Sequence, residues 1–207
     1  MKYNKLKRGQ EIELSISDLA FGGQGISKLD DLIFFVKDAI PGQKVLTKVS
    51  KVKKKYVETY QIKTLKDSND QVDPVCEHFN WCGGCTTQQL EYQKQLHYKQ
   101  KQISDILNKI GGSKDLDINP IIGCEKTFFY RNKMEYTFSG SPWYIEDESY
   151  DDIIIGLHVP KRFDKILNIN KCHINHETFN EILQISKEIM VKENMIPYDV
   201  RKHTGFL

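Results

Sequence analysis

Alternating apolar and polar residues mark a series of short β-strands in the first third of the chain. The alternation runs through residues 11–20, and three further segments, 32–36, 44–52 and 56–65, have the same texture. Turns rich in Gly and Pro separate these segments. Short strands punctuated in this way, within under about 70 residues, are typical of a small β-barrel of the OB type. Because a closed barrel leaves no unpaired edge, we expect this unit to be stable alone.

Helical periodicity appears twice in the rest of the chain. Apolar residues recur at spacings of 3, 4 and 7 within residues 86–110, which predicts a helix there. Thr86 or Thr87 can cap its start, because a side-chain oxygen satisfies backbone N–H groups of the first turn. A second helix is predicted over residues 176–194, with Asn175 as its N-cap.

Strand-like segments lie between the two predicted helices. Residues 128–140 have the pattern of one long strand, which places Arg131 and Lys133 on the same face because side chains alternate along a strand. An acidic loop, residues 146–152, follows it. Two apolar runs beyond the loop predict further strands: residues 153–159 and 165–169.

These patterns predict a mixed β and α+β fold class. We expect a small OB-like β-barrel over residues 1–65, a polar linker over 66–75 and an α+β domain over 76–207. The last eight residues have the pattern of a strand that is only starting. The second domain is therefore expected to be incomplete at its C-terminal end.

Charge is distributed unevenly along the 207 residues. Residues 1–66 carry 14 Lys and Arg against 7 Asp and Glu, whereas residues 67–207 carry 16 against 21, so the formal net charge of +2 hides a basic first third. No apolar run approaches the roughly 18 residues needed to span a bilayer. The basic N-terminus lacks the apolar core of a secretory signal. We therefore expect a cytoplasmic protein.

The basic first third favours a nucleic-acid partner, although a Lys-rich solvated surface would have the same charge. The candidate phosphate contacts in this region are Lys51, Lys53, Lys54 and Lys55. Arg131 and Lys133 in the second domain are further candidates for the same backbone. The alternative for these two is ion pairing with Glu135 or with the acidic loop.

Four of the five cysteines form a pattern typical of metal ligands. Five residues separate Cys76 from Cys82, two separate Cys82 from Cys85, and Cys172 lies far downstream. Thiolates are the ligands that soft metals and iron–sulfur clusters require. The two glycines between Cys82 and Cys85 allow positive φ and leave backbone amides open to the sulfurs.

Three interpretations of the cysteines remain open at this point. Zinc usually takes two C-x2-C pairs, an iron–sulfur cluster tolerates uneven spacing and a distant fourth ligand, and unrelated buried cysteines need no metal. Disulfides are disfavoured in a reducing compartment. Cys124 has no cysteine near it in sequence and is interpreted as a small buried hydrophobe. His78 and His173 flank candidate ligands and are expected to be their neighbours.

The segment DPVCEHFNWCGGCTTQQL, residues 73–90, resembles the signature of the bacterial RNA uracil-5-methyltransferase family. The resemblance implies that Cys76, Cys82, Cys85 and Cys172 hold a 4Fe–4S cluster. Residues 8–65, with two Gly-containing turns, resemble a TRAM domain, the RNA-binding OB-like barrel at the front of many members. The second domain also resembles the family's central domain at residues 130–135 and 156–158.

The catalytic part of that family has no counterpart here. Members continue into a Rossmann-like domain that binds S-adenosylmethionine and carries a nucleophilic cysteine, and Cys124 lies in the wrong region for that role. No glycine-rich loop follows a strand in a βα unit. The resemblance therefore implies a front portion whose S-adenosylmethionine site lies outside these residues. We expect no methyl transfer by this chain alone. The expected partner is RNA, with ribosomal RNA favoured over transfer RNA.

Two other functions fit the same residues. A stand-alone RNA-binding module stabilised by a metal or cluster would need no separate methyltransferase domain. An electron-transfer protein would use the cluster but would leave the basic barrel unexplained.

Overall fold

The computed structural model of the protein describes residues 6–112, 116–145, 153–160, 162–199 and 201–206. Within these ranges, no helix combines the length and the apolar character that crossing a membrane would require. The strands and helices, in chain order, are β1 (Glu11–Ser15), β2 (Asp18–Leu19), β3 (Gly25–Leu29), β4 (Leu32–Lys37), β5 (Lys44–Val52), β6 (Tyr56–Lys66), α1 (Tyr92–Lys109), β7 (Thr137–Ser139), β8 (Pro142–Trp143), β9 (Ile154–His158), β10 (Ile166–Asn168) and α2 (Glu177–Lys192).

The chain divides into two compact units that alternate along the sequence. The first contains Met1–Asp73 and Thr86–Gly123, and the second contains Pro74–Cys85 and Cys124–Leu207. The predicted helical segment after Thr86 therefore belongs with the N-terminal strands, whereas the sequence grouped it with the cysteines. The domain ranges expected from sequence stay a prediction.

The first unit is built on a six-stranded sheet in the order β1-β5-β6-β4-β3-β2. All neighbours are antiparallel except β4 and β6, which are parallel. Alternation works as predicted here, because every second side chain enters one core: Ile12, Leu14, Ile16, Phe34, Val36, Ala39, Val45, Val49 and Val57.

The hydrogen-bonded ladder of this sheet is not closed, so the closed barrel expected from sequence is wrong in that respect. The order begins at β1 and ends at β2, and no described pairing joins these two strands. They are nevertheless consecutive in the chain. Between them, Ile16 N–H donates to Gln43 O at 2.9 Å and Ser17 N–H donates to Ile26 O at 2.8 Å. One continuous segment thus contacts both ends of the sheet.

Helix α1 packs within the first unit. Tyr98 of this helix joins a small apolar cluster with Leu19, Ile40 and Leu90. Gln102 Nε2 donates to Leu19 O at 2.9 Å. The helix begins at Tyr92 rather than near Thr86, because the residues before it form a bridge between Leu90 and Gln71 instead of a first turn.

The second unit is built on a four-stranded sheet in the order β7-β9-β10-β8. Residues 128–140 do not form the single strand expected from sequence, because only Thr137–Ser139 pair in the sheet. Phe129 has a φ of 55°, a left-handed conformation that an extended strand cannot contain. At Gly156 of β9 a Cβ would collide with the carbonyl oxygen of Leu167, so the close pairing of β9 and β10 requires glycine there.

Helix α2 covers the second unit's core with Leu183 and Met190. Its N-cap is His176, whose side chain accepts from Thr178 N–H, and not Asn175, which is fully buried. The strand expected at the C-terminal end is also absent among the residues described there. That segment instead forms turns with isolated bridges, such as the one between Pro197 and Phe206.

Candidate functional site

The four predicted cysteine ligands all lie in the second unit and neighbour one another. Cys82 and Cys85 pack against the apolar core that contains Cys172. The charges of Cys85 and Cys172 are among the smaller causes that raise the pKa of both Cys76 and Cys82, which agrees with a common neighbourhood for the four thiols. Two chain segments, one before β7 and one after β10, are therefore brought together by cysteines.

A tight turn orders the first three cysteines. Phe79 N–H donates to Cys76 O at 3.1 Å, and Cys82 N–H donates to His78 O at 2.9 Å. Asn80 takes the positive φ in this turn, at 73°. The glycines between Cys82 and Cys85 do not have positive φ, so that part of the sequence interpretation is wrong.

Those two glycines instead allow neighbouring atoms to lie close to the backbone. A Cβ on Gly83 would lie 3.3 Å from His158 O, and one on Gly84 would lie 3.4 Å from Cys82 Sγ. Gly84 N–H donates to the Cys82 sulfur at 3.3 Å. A backbone N–H directed at sulfur favours the thiolate, which is the state that binds metals.

Cys172 is held by residues that sequence spacing did not reveal. Asn180 of α2 accepts from Cys172 N–H at 2.8 Å and donates through Nδ2 to Cys172 O at 3.2 Å. Tyr136 packs against the core that contains Cys172, and Asn175 Nδ2 donates to the phenol oxygen of Tyr136 at 3.2 Å. Burial is the main cause that raises the pKa of Tyr136 to about 12.

Burial also raises the pKa of the Cys76 thiol, and it raises that of Cys82 to about 11. Neighbouring thiols add to the shift because thiolates repel one another, whereas backbone N–H groups of His78 and Gly84 oppose it. Burial thus favours the protonated thiol at Cys76 and at Cys82. A bound cation reverses this balance, since it favours the thiolates.

The donor set fits a soft metal or an iron–sulfur cluster, because it consists of thiols alone. Among the described residues, no group of three or more His, Cys, Asp or Glu side chains is arranged so that it could hold a metal ion. That these four thiols bind a metal or a cluster therefore stays a prediction.

Cys124 is exposed, so its interpretation as a buried hydrophobe is wrong. Its thiol donates to Lys126 O at 2.9 Å. His78 is buried with its Nδ1 4.0 Å from Cys76 Sγ, and His173 packs against Phe129, which agrees with neighbouring roles for both histidines.

The candidate RNA contacts of the first unit lie at one hairpin tip. Lys51 ends near the tip on β5, and Lys53, Lys54 and Lys55 form the turn into β6, where all four are exposed. Lys51 Nζ is 4.0 Å from a Glu58 carboxylate oxygen. The three turn lysines have no ion pair within the described part of the chain.

The candidates of the second unit differ from each other. Arg131 has its backbone fixed, since Arg131 N–H donates to Ile174 O at 2.8 Å, and its side chain is exposed. Lys133 pairs with Glu135 at 2.9 Å, which lowers the pKa of that carboxyl. The ion-pair alternative therefore holds for Lys133. The acidic loop at 146–152 lies outside the described residues.

The second unit also contains a cavity of about 810 Å³ that sequence reasoning missed. The turn before β8 and the C-terminal segment line it, with Ser141, Asp164 and Arg201 among the polar residues. No local sequence signal marks it, because its walls come from residues about 60 positions apart.

Comparison with known proteins adds the identity of the first unit. Residues 5–59 match the TRAM domain model. The chain carries a TRAM domain. Its match ends within β6, so the TRAM domain accounts for most of the six-stranded sheet.

Relatives of the whole chain are longer proteins. An uncharacterised RNA methyltransferase of Bacteroides thetaiotaomicron is 36% identical over 195 residues, which are 91% of this chain and 43% of that protein. One from Chlorobaculum tepidum is 31% identical, over 98% of this chain and 44% of that protein. The chain thus spans less than half the length of these relatives.

A solved structure has a similar fold. The tRNA (uracil-54, C5)-methyltransferase of Pyrococcus abyssi, in complex with S-adenosyl-L-homocysteine, superposes with a TM-score of 0.59 at 24% identity. The match covers 94% of this chain and 40% of that one. It places the TRAM domain and the cysteine-bearing unit in a known fold.

Proposed function

We propose that this chain is the RNA-binding, 4Fe–4S-carrying N-terminal portion of an S-adenosylmethionine-dependent RNA uracil-C5 methyltransferase. One observation supports the proposal above all. Cys172 lies in the same compact unit as Cys76, Cys82 and Cys85, and a TRAM domain precedes these cysteines in the sequence. The names of the longer relatives support the same reaction class.

In this proposal the cluster is structural. Cys76, Cys82, Cys85 and Cys172 hold it, and its iron atoms supply the positive charge that stabilises the four thiolates, of which Cys172 is buried. Methyl transfer from S-adenosylmethionine to uracil needs no electron, so a redox step is not required. The bound cluster pins the turn before Cys85 to the segment after β10.

The TRAM domain binds the RNA around the target. A uracil C5 within folded RNA is reached only when the base is displaced from its stack, so the surrounding strand must be held. The exposed lysines at the β5–β6 turn provide phosphate contacts, and Arg131 provides another in the second unit.

The catalytic centre of this enzyme lies in a part that these 207 residues do not contain. The Pyrococcus abyssi protein is described with S-adenosyl-L-homocysteine bound, which supports S-adenosylmethionine as the methyl donor of the complete enzyme. We expect ribosomal RNA as the substrate and no methyl transfer by this chain alone. Transfer of a radioactive methyl group from S-adenosylmethionine tests the absence of activity in this chain, and its affinities for ribosomal and transfer RNA test the choice of RNA.

Iron, zinc and acid-labile sulfide per chain after anaerobic purification test the cluster. We expect about four irons with matching sulfide in the wild type and their loss in Cys82→Ser. Cys124→Ser is the matched control, since this exposed thiol stands apart from the four, and it should keep the iron. About one zinc without sulfide would instead make the chain a zinc-stabilised RNA-binding module.

A further inference from the structure

The outward face of the TRAM sheet carries a row of side chains that the proposed lysine contacts do not include. Val57 and Thr59 of β6 point into the core, so Tyr56, Glu58 and Tyr60 point outward. Tyr60 lies opposite Lys37 of β4 in one ladder and opposite Lys48 of β5 in the other. Residues directly opposite each other share a face, so a lysine flanks this tyrosine on each neighbouring strand.

Two more aromatic rings lie on the same face. Phe35 of β4 lies opposite Glu58, and its ring meets that of Tyr56 edge-on with centroids 5.6 Å apart. Tyr60 is 41% exposed, whereas Phe35 and Tyr56 are half-buried. The three rings thus lie on one face of two adjacent strands, with Phe35 and Tyr56 in contact and Tyr60 beyond Glu58 along β6.

Lysines and acids share this face. Glu58 is within 4.0 Å of the Lys51 ammonium, Lys37 pairs with Asp38 at 3.1 Å, and Glu11 of β1 lies opposite Lys48. Lys48 has no ion-pair partner in the part of the chain that the structure describes. Tyr56 directly follows the turn lysines, so the aromatic surface continues the basic hairpin tip along β6.

We propose that the unpaired bases of single-stranded RNA stack on this face, which carries the rings of Phe35, Tyr56 and Tyr60 and the two lysines that flank Tyr60, Lys37 and Lys48. Every base has a π-face, so such stacking is tolerant of sequence, and a strand within a duplex cannot offer its bases. The inference rests on the proposed RNA-binding function and adds to it the kind of RNA that is bound. Bases lie over the rings of β4 and β6, while the phosphates reach the lysines on either side.

The test compares Tyr60→Leu with Tyr60→Phe in the full chain, using a labelled oligouridine of about 12 nucleotides, free or paired with its complement. Leucine keeps an apolar side chain but removes the ring. We expect Tyr60→Leu to weaken binding of the free strand about tenfold and Tyr60→Phe to bind like the wild type. Phe21→Leu is the matched control, because Phe21 is 78% exposed at a turn outside this face and should leave binding unchanged.

A triple variant, Lys53→Ala, Lys54→Ala and Lys55→Ala, reports on RNA binding itself. If it weakens binding while Tyr60→Leu does not, the stacking face is overturned and the proposed RNA-binding function stands. The stacking proposal would also be overturned if Tyr60→Leu and Phe21→Leu lowered RNA affinity equally. Equal affinity of the wild type for the free and the paired strand would overturn it as well. If the wild type binds neither strand, the RNA-binding function fails with it.

Discussion

At the scale of single residues, the side chains around the cysteines matter as much as the cysteines. Spacing along the chain predicted Cys76, Cys82 and Cys85 as a group, because a turn of ten residues is a local feature. It gave no sign of Asn180 or Tyr136, whose contact with Cys172 depends on how α2 and the strands pack. Such contacts leave no pattern in a single sequence.

Asn180 makes a testable contribution of this kind. Its side-chain amide hydrogen bonds to both the N–H and the carbonyl of Cys172. Asn180→Ala therefore leaves these two backbone groups of a buried residue without that partner. We expect a loss of about 1–2 kcal/mol in the free energy of unfolding, measured by urea denaturation. Gln184 lies on the same helix as Asn180, and its side-chain amide donates an exposed hydrogen bond to Asn170 O. Gln184→Ala removes this hydrogen bond and should lower the free energy of unfolding by less than about 0.5 kcal/mol. Similar losses for both variants would contradict the role of Asn180.

At the scale of elements, alternation predicted strands well where one face is buried and the other is solvated. The bounds of β5 were predicted without error for this reason. The segment before β7 also alternates, but Phe129 has a left-handed backbone conformation and the Tyr136 phenol accepts from Asn175 Nδ2, so this segment does not follow an extended strand. Periodicity cannot distinguish these two origins.

A carboxylate connects two elements of the second unit and gives a pH dependence. Asp164, between β9 and β10, accepts from Arg162 Nε at 2.9 Å and from Arg201 Nη2 at 2.6 Å in the C-terminal segment. Hydrogen bonding to Arg162 is the first cause that lowers the pKa of Asp164 from 3.8 to about 2. A depressed pKa stabilises the folded state above the unfolded value, so this contribution is present above pH 3.8 and is lost as the pH falls through about 2.

We therefore expect Asp164→Asn to flatten the fall in stability between about pH 5 and pH 2 relative to the wild type. Urea midpoints at several pH values measure it. Glu188→Gln, an exposed carboxyl on α2, controls for the loss of one charge. A wild-type slope in Asp164→Asn would show that the two arginines do not hold this carboxylate.

At the scale of the whole molecule, the sequence predicted two folding units and the basic character of the first. It grouped residues 86–110 with the cysteines, whereas the structure groups Thr86–Gly123 with the N-terminal strands. The apolar stripe of a helix does not show which core the helix contacts. Leu90 and Tyr98 supply that information only in three dimensions, through their contacts with Leu19 and Ile40.

Separate cores predict separate responses to metal removal. All four cysteines lie in the second unit, so a bound cluster stabilises that unit by the free energy of binding. After iron chelation we expect faster hydrogen exchange in β9 and β10 and unchanged exchange in β4 and β5, measured on peptides by mass spectrometry. Cys82→Ser without chelator should reproduce the pattern. Equal acceleration in both units would show that the cluster supports the whole chain.

Because the two units are interleaved along the sequence, the four cysteines of the second unit are synthesised at different times on the ribosome. Cys76, Cys82 and Cys85 are made early, within a segment that interrupts the first unit, and their fourth partner at position 172 follows 87 positions after Cys85. At about 5–20 residues per second, the three early thiols wait roughly 4–17 seconds for that partner. Insertion of the proposed cluster would then follow the synthesis of Cys172, and the three earlier thiols are open to oxidants until that residue emerges.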